Sequence, residues 1–304
     1  MIRHMSGVKY VKYVFHNDDY GLFIEESNRI LRCITDGVVN SVSVMGNSTC
    51  LDECMKLIGE DVLGKKVLIA THLNVVCGKC LSDPKDVDLL VDENGVFLHK
   101  FGKLLMYSYI PFVRGKVRRQ LKLEISKQIN HILPYMDSEG RGIRIDSHVH
   151  YHEIPVFFDA LMDVIKEEKL KVAYIRQPKE KISLYLKSGV FFSPINLVKC
   201  LVLNTLCFRN SVKYRRFLSG CEERLFLGVV QSGHMTFDKV SKLWPLAKAW
   251  SDAHNCGTEI LSHPGGVKEE DDLKEITFEG DYEAMTSPLR DAEGEAWIRM
   301  KGIV

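Results

Sequence analysis

Short apolar runs recur along this chain, and nearly every one closes on a polar residue able to do chemistry. Lys12 to His16 reads as a strand leading into Asn17, Asp18, Asp19, Tyr20 and Gly21. Ile24 to Asp36 has helical spacing, with Ile24, Leu31 and Ile34 inward and Gly37 placed to stop it. Val38 to Met45 is a Val-rich strand in which Ser41 and Ser43 alternate with apolar positions, and Asn47 follows it. Leu51 to Ile58 reads as a second helix, and Val67 to Leu73 as a buried strand with His72 near its end. Val117, Leu121, Ile125 and Ile129 recur every four residues, the mark of an amphipathic helix. Ile143 to Ile145 is a short strand entering Asp146-Ser147-His148-Val149-His150-Tyr151-His152, and Pro155 opens a helix running to about Glu168. Lys171 to Ile175 is a strand ending at Arg176, Leu225 to Val230 a strand before His234, Phe237 to Ala253 a helix, and Thr258 to Ser262 a last strand before His263.

Strands alternating with helices predict an α/β fold with a parallel sheet. In that architecture the carboxyl ends of the strands converge on one face. Asp18, Asp19, Asn47, His72, His148, Arg176, His234 and His263 all fall at such ends, so one site built from most of the chain is expected. Two carboxylates with several imidazoles suit a metal-dependent hydrolase.

Two stretches break the alternation. Residues 74–98 contain Gly78, Pro84 and Gly95 with many Asp, a length usually functional or mobile. Residues 181–222 read as a helical insertion over the barrel rim or a contact in an oligomer such as a homodimer. Residues 267–304 are acidic and end in a predicted helix. Without a Gly/Ser linker, low-complexity tract or repeat, the 304 residues are expected to form one domain.

Composition narrows the function classes. A net charge of +1 gives no global attraction to nucleic acid or an anionic membrane. Basic clusters at Arg114 to Lys122 and Lys213 to Arg216 read as solvated surface. Pro194 to Phe208, the longest oily run, is interrupted by Asn196, Lys199 and Asn204 and is too short and polar to span a bilayer. Nine cysteines without a framework spacing, and an N-terminus without an apolar leader, are expected of a cytoplasmic protein. Cys77 and Cys80 form a single C-x-x-C pair, which admits half a zinc site or a redox motif but reads better as two unrelated cysteines.

Adjacent carboxylates point in different directions and divide labour. One binds a cation while the other accepts a proton, although an Asx-turn explains most such pairs. His148, His150 and His152 fall on one side if their segment is extended, giving metal ligands and an outer hydrogen-bonding partner. Asp146 is suited to hold a ligand imidazole in its binding tautomer, and Arg176 to anchor Asp18 and lower its pKa. Pro264 stops the last strand, while Gly265 and Gly266 let backbone approach a ligand.

At these residues the chain resembles the YdjC-like carbohydrate deacetylases. Their N-A-D-D-F-G opening is matched by His16-Asn17-Asp18-Asp19-Tyr20-Gly21 and their V-T-S-T-S-L-M-x-N pattern by residues 39–47. ATHLNVVCG at 70–78, DSHVHYH at 146–152 and RQPKE at 176–180 match further motifs, as do Gly233-His234 and His263-Pro264-Gly265. The resemblance implies a distorted seven-stranded βα barrel, TIM-barrel-like and related to polysaccharide deacetylases. It implies one divalent metal ion, Mg2+ or Zn2+, on Asp19, His72 and His148, with Asp18 as proton acceptor. His263 would protonate the leaving amine. Asn47, Asp146, His150, His152, Arg176 and His234 would touch substrate or back the ligands. The implied substrate is an N-acetylated sugar or short oligosaccharide. A hydrolase of another amide or ester, and a non-catalytic sugar-binding barrel, are the alternatives. His16 and Asn17, and Val76 and Cys80 in place of the family's Thr and Pro, alter the walls of the site. Phe97, Tyr185, Phe191, Phe192 and Tyr214 are expected to stack on sugar rings or to pack the insertion down.

Overall fold

The computed structural model describes residues 10–61, 67–136, 142–271 and 285–304. Seven strands form one parallel sheet: β1 (Tyr13–Tyr20), β2 (Ser41–Met45), β3 (Leu68–Leu73), β4 (Ile143–Ser147), β5 (Val172–Ile175), β6 (Arg224–Leu227) and β7 (Gly257–Ser262). Their order is β5-β4-β3-β2-β1-β7-β6, so β5 and β6 stand at the edges. Arg176, just past β5, donates from Nη1 to Asp18 Oδ2 of β1 at 2.9 Å and from Nε to Glu259 Oε1 of β7 at 2.7 Å. In a flat sheet four strand spacings would separate β5 from β1 by about 19 Å, beyond any side chain. The sheet is therefore curled into a distorted half-barrel. Its two edges meet without a ladder, through the Glu222 amide on the Ala173 carbonyl at 2.8 Å and through Tyr174 beside the guanidinium groups of Arg144 and Arg224.

Helices cover the outside: α1 (Ile24–Thr35), α2 (Leu51–Asp61), α3 (Phe101–Tyr107), α4 (Pro111–Ile132) and α5 (Pro155–Glu167) in the first part of the chain. α6 (Ile182–Ser188), α7 (Pro194–Lys213), α8 (Arg215–Leu218), α9 (Phe237–His254) and α10 (Leu289–Met300) follow. Proline opens α4, α5 and α7, where its fixed φ suits the first turn and its missing N–H costs no hydrogen bond. One apolar core joins β1, β2, β6 and β7 to α1, α2, α9 and α10, and a second joins β3 to β5 with α4, α5 and the 74–98 segment.

Several boundaries move from expectation for identifiable reasons. β6 stops at Leu227 because the Glu180 carboxylate takes the next amides, those of Gly228, Val229 and Val230. Residues 148–153 are not extended: they form a 3-10 turn with Val149 and His150 at φ of 50° and 57°. The 74–98 segment is stitched to α4, where Glu124 accepts the Leu81 and Ser82 amides, Gln120 the Leu89 amide and Gln128 the Asn74 amide. Phe97 is buried in that second core. The 181–222 region is helical, and most of its aromatics pack inward. Tyr185 is fully buried against Phe192, and Tyr214 stacks on Phe158 with its hydroxyl on Asp159. Phe191 alone of the five expected sugar-stacking aromatics stands out, 82% exposed. No described helix is long and apolar enough to cross a membrane.

Candidate metal centre and active site

β1 does not end with its apolar run. It continues through both aspartates, its register with β2 slipping between Asn17 and Tyr20, and Asp19 sits at φ 69°. Aspartate tolerates that left-handed region better than most residues. The slip sends the two carboxylates to different partners. Asp19 Oδ1 lies 2.9 Å from His148 Nδ1 and 3.5 Å from His72 Nε2, while its Oδ2 accepts from Arg290 Nη2 at 3.2 Å. Asp18 is gripped by both Arg176 Nη atoms at 2.9 Å and lies 3.1 Å from His16 Nε2.

Asp19, His72 and His148 bring one donor atom each within 4.8 Å of one another, all buried. Ligands about 2.1 Å from one ion stand about 3.0–3.4 Å apart in octahedral or tetrahedral arrangements, close to the spacings of this trio. His72 Nδ1 is held by Asp146 Oδ1 at 2.7 Å, which leaves Nε2 facing Asp19. That Nε2 is buried and has no hydrogen-bond partner. A carboxylate, two imidazoles and a carboxylate behind one of them fit a divalent cation. A second cluster, His16, Asp18 and Asp146, also satisfies a ligand spacing, but the Arg176 guanidinium already sits there, 2.8 Å from Asp146.

Electrostatics sharpen the division. Burial by itself would raise Asp18, but Arg176, His72 and His16 hold it well below the usual carboxylate range. For Asp19 burial is likewise outweighed, by His148, His72 and Arg290. Burial would lower His72, yet Asp18 and Asp146 push it up to about 9. Burial, reinforced by the Asp19 charge, pushes Glu26 well up despite its hydrogen bond from Arg290 at 3.0 Å.

The remaining expected residues separate. His263 Nε2 is 3.7 Å from Asp18 Oδ2, and its amide donates to Glu293 at 2.7 Å. His152 bridges Ser147 Oγ and the Arg176 carbonyl at 2.6 and 2.8 Å. His150 packs edge-on against Phe226, and burial holds it well below the ordinary imidazole range. The three histidines of this segment thus have three environments. Asn47 donates to the Cys77 and Lys79 carbonyls and accepts from Asn74, fastening the 74–80 turn. His234 is exposed on the turn before α9. Gly265 and Gly266 serve the chain itself: a Cβ would stand 2.8 Å from Glu26 Cγ at the first and 2.6 Å from the Met285 carbonyl at the second.

Arg290, Glu26, Ser43 and Glu259 join the site without having been singled out. Ser43 donates to Asp18 and Asp146 and contacts His16, and its alternation within β2 was the available signal. Arg290 carried none, since a charged residue opening a terminal helix reads as surface.

A model of the YdjC-like protein family matches residues 12–292. A carbohydrate deacetylase of Thermoanaerobacter pseudethanolicus is 27% identical over 59% of this chain and 66% of its own length. One of Clostridium beijerinckii is 26% identical over 55% and 61%. The alignments thus take in less than two-thirds of these bacterial proteins. A mouse carbohydrate deacetylase is 24% identical over 96% of this chain and 92% of its own. The crystal structure of an Enterococcus faecalis protein, provisionally described as a cellobiose-phosphate cleavage protein, superposes with a TM-score of 0.64. That match has 17% identity and covers 94% and 90% of the two chains, so the fold is shared.

A cation reaching His72 Nε2 must displace a proton held up to about pH 9. Affinity for a divalent ion is therefore expected to rise with pH from 6 to about 9, with proton release, in titration calorimetry. A pH-independent affinity would contradict this assignment.

Proposed function

Because the chain belongs to the YdjC-like protein family, we propose that it is a metal-dependent deacetylase, hydrolysing the acetamide of an N-acetylated sugar or short oligosaccharide. The observation that carries the reading is the buried trio of Asp19, His72 and His148 with the His72 Nε2 atom facing Asp19 and making no hydrogen bond. These three residues hold the ion. Their imidazoles suit zinc, and a carboxylate site with open positions also admits magnesium. When bound, a divalent ion supplies a lowered pKa for the attacking water and polarises the amide carbonyl.

Asp18 is the proton acceptor. Arg176 keeps it ionised and aims it, and also makes it a weak base, so it depends on the water being acidified. Asp146 orients His72 through Nδ1, and Arg290 occupies the outer oxygen of Asp19 so that Oδ1 faces the histidines. His263, a quarter exposed and within reach of Asp18, donates a proton to the departing amine. The similarity to proteins named carbohydrate deacetylase supports a sugar substrate. Phe191, the exposed one of the five aromatics, is our candidate to meet a sugar face.

Acetate release from a panel of N-acetylated sugars and short oligosaccharides tests this. It is expected to vanish with chelator and return with added metal. Asp18→Asn should retain the ion and lose activity by on the order of a hundredfold or more. No acetate from any sugar with metal present would sink the reading.

We further propose a homodimer formed through the outer face of α7. Ile195, Val198 and Phe208 are 64%, 60% and 63% exposed at helical spacing, an apolar stripe monomers rarely leave bare. Light scattering should give twice the chain mass, and Val198→Glu with Phe208→Glu should halve it. A monomer at micromolar concentration would contradict the dimer.

A further inference from the structure

The C-x-x-C motif at Cys77 and Cys80 draws attention in the sequence, but these two thiols bond to different groups. Cys77 Sγ accepts from Asn74 and Cys80 donates to the Ser82 carbonyl. A different pair is in contact. Cys50, just before α2, and Cys54, in its first turn, place their sulfurs 3.5 Å apart, with the Cys54 amide on the Cys50 carbonyl at 3.0 Å. A disulfide needs the sulfurs to close to about 2.05 Å, and residues four apart in a helix lie within its allowed Cα range. Cys50 is partly exposed and Cys54 fully buried, so a reagent reaches the first and only the first can reach the second.

We propose that Cys50 and Cys54 form a reversible, oxidisable dithiol whose closure loosens the turn that carries Asp19. The oxidant is a peroxide. The Cys50 thiolate attacks a peroxide oxygen, giving a sulfenic acid and expelling an alkoxide or hydroxide that takes up a proton. Cys54 then attacks the Cys50 sulfur, releases its own proton and expels water. Two thiols and one peroxide become one disulfide, one alcohol or water, and one water. The two sulfurs are oxidised and the O–O bond is reduced.

The electrostatics favour this order. The hydrogen bond from Cys54 brings Cys50 down to about 7, against the opposing effect of burial, while the same contact and burial push Cys54 well up. A thiolate near neutral pH is the competent nucleophile. Its buried neighbour is the resolving thiol.

Closure reaches the site through three hydrogen bonds. Cys50 Sγ donates to the Gly21 carbonyl at 3.5 Å, beside the Ser48 hydroxyl on the same oxygen. Cys54 Sγ lies 3.3 Å from Ser27 Oγ, and that hydroxyl accepts the Gly21 amide at 2.9 Å. The Cys54 carbonyl accepts the Tyr20 hydroxyl at 2.7 Å. Tyr20 and Gly21 directly follow Asp19, so drawing the two sulfurs from 3.5 Å to bonding distance shifts the contacts that fix this turn.

The test uses the full chain and hydrogen peroxide, followed by alkylation, peptide mapping and amide hydrogen exchange, none of which depends on the assigned reaction. Of nine thiols, all free in the reduced protein, seven should remain after mild oxidation. The linked peptide should join Cys50 to Cys54 and dithiothreitol should restore it. Exchange at Gly21 should accelerate in the oxidised form. Cys50→Ser, which keeps a hydroxyl for Gly21, should retain its eight thiols and unchanged exchange under the same treatment. Over-oxidation of Cys50 without a link, a link between Cys77 and Cys80 instead, or a Cys50–Cys54 link with unaltered Gly21 exchange would each overturn the proposal.

Discussion

The buried guanidinium of Arg176 is the interaction on which the rest of this site depends. It is fully buried and faces three carboxylates, Asp18, Asp146 and Glu259, from strands β1, β4 and β7. Three such anions in a dry interior would repel one another and take up protons. Arg176 holds Asp18, Asp146 and Glu259 down against the burial that would raise them, Asp146 to about 2. The same side chain ties an edge strand to the opposite side of the sheet, so charge neutralisation and curling are one event. Its carbonyl also accepts from His152, which sets the turn that presents His148. Removing one partner of such a buried cluster typically costs about 3–5 kcal/mol, because the others are left unpaired.

From this centre the geometry of the candidate site follows in layers. Asp146, kept ionised by Arg176, holds His72 in the tautomer that turns Nε2 toward Asp19. The slipped register of β1 separates two adjacent aspartates, one toward Arg176 and one toward the histidines. Arg290, arriving from the last helix, closes the outer side of Asp19, and Gly266 makes room for that approach. The site is thus completed by both ends of the described chain.

The strand and helix alternation was legible because each strand is a dense apolar run and each helix repeats at about four residues. The convergence of Asp18, Asp19, His72, His148, Arg176 and His263 was legible because parallel strands share one carboxyl end. The three-histidine segment misled for a physical reason: alternation presumes an extended backbone, and Val149 and His150 occupy left-handed conformations that no local composition signals. The 74–98 stretch looked mobile because its order comes from Glu124, Gln120 and Gln128 on a distant helix, side chains that read as solvated in a periodicity analysis. The end of β6 was hidden for a similar reason, its amides being taken by Glu180 from about fifty residues earlier.

The aromatics of the 181–222 region belong chiefly to packing, and Phe191 and Phe208 are the exposed rings there. The proposed reaction therefore depends on the candidate metal centre rather than on any one wall. A crystal soaked in manganese or zinc, with anomalous scattering measured, addresses that centre most directly. A single peak within about 2.0–2.2 Å of Asp19 Oδ1 and of imidazole nitrogens of His72 and His148, with Asp18 held off by Arg176, is the predicted result. An ion bound through Asp18 and Asp146 in place of the guanidinium, or no ion at the trio at saturating metal, would contradict it.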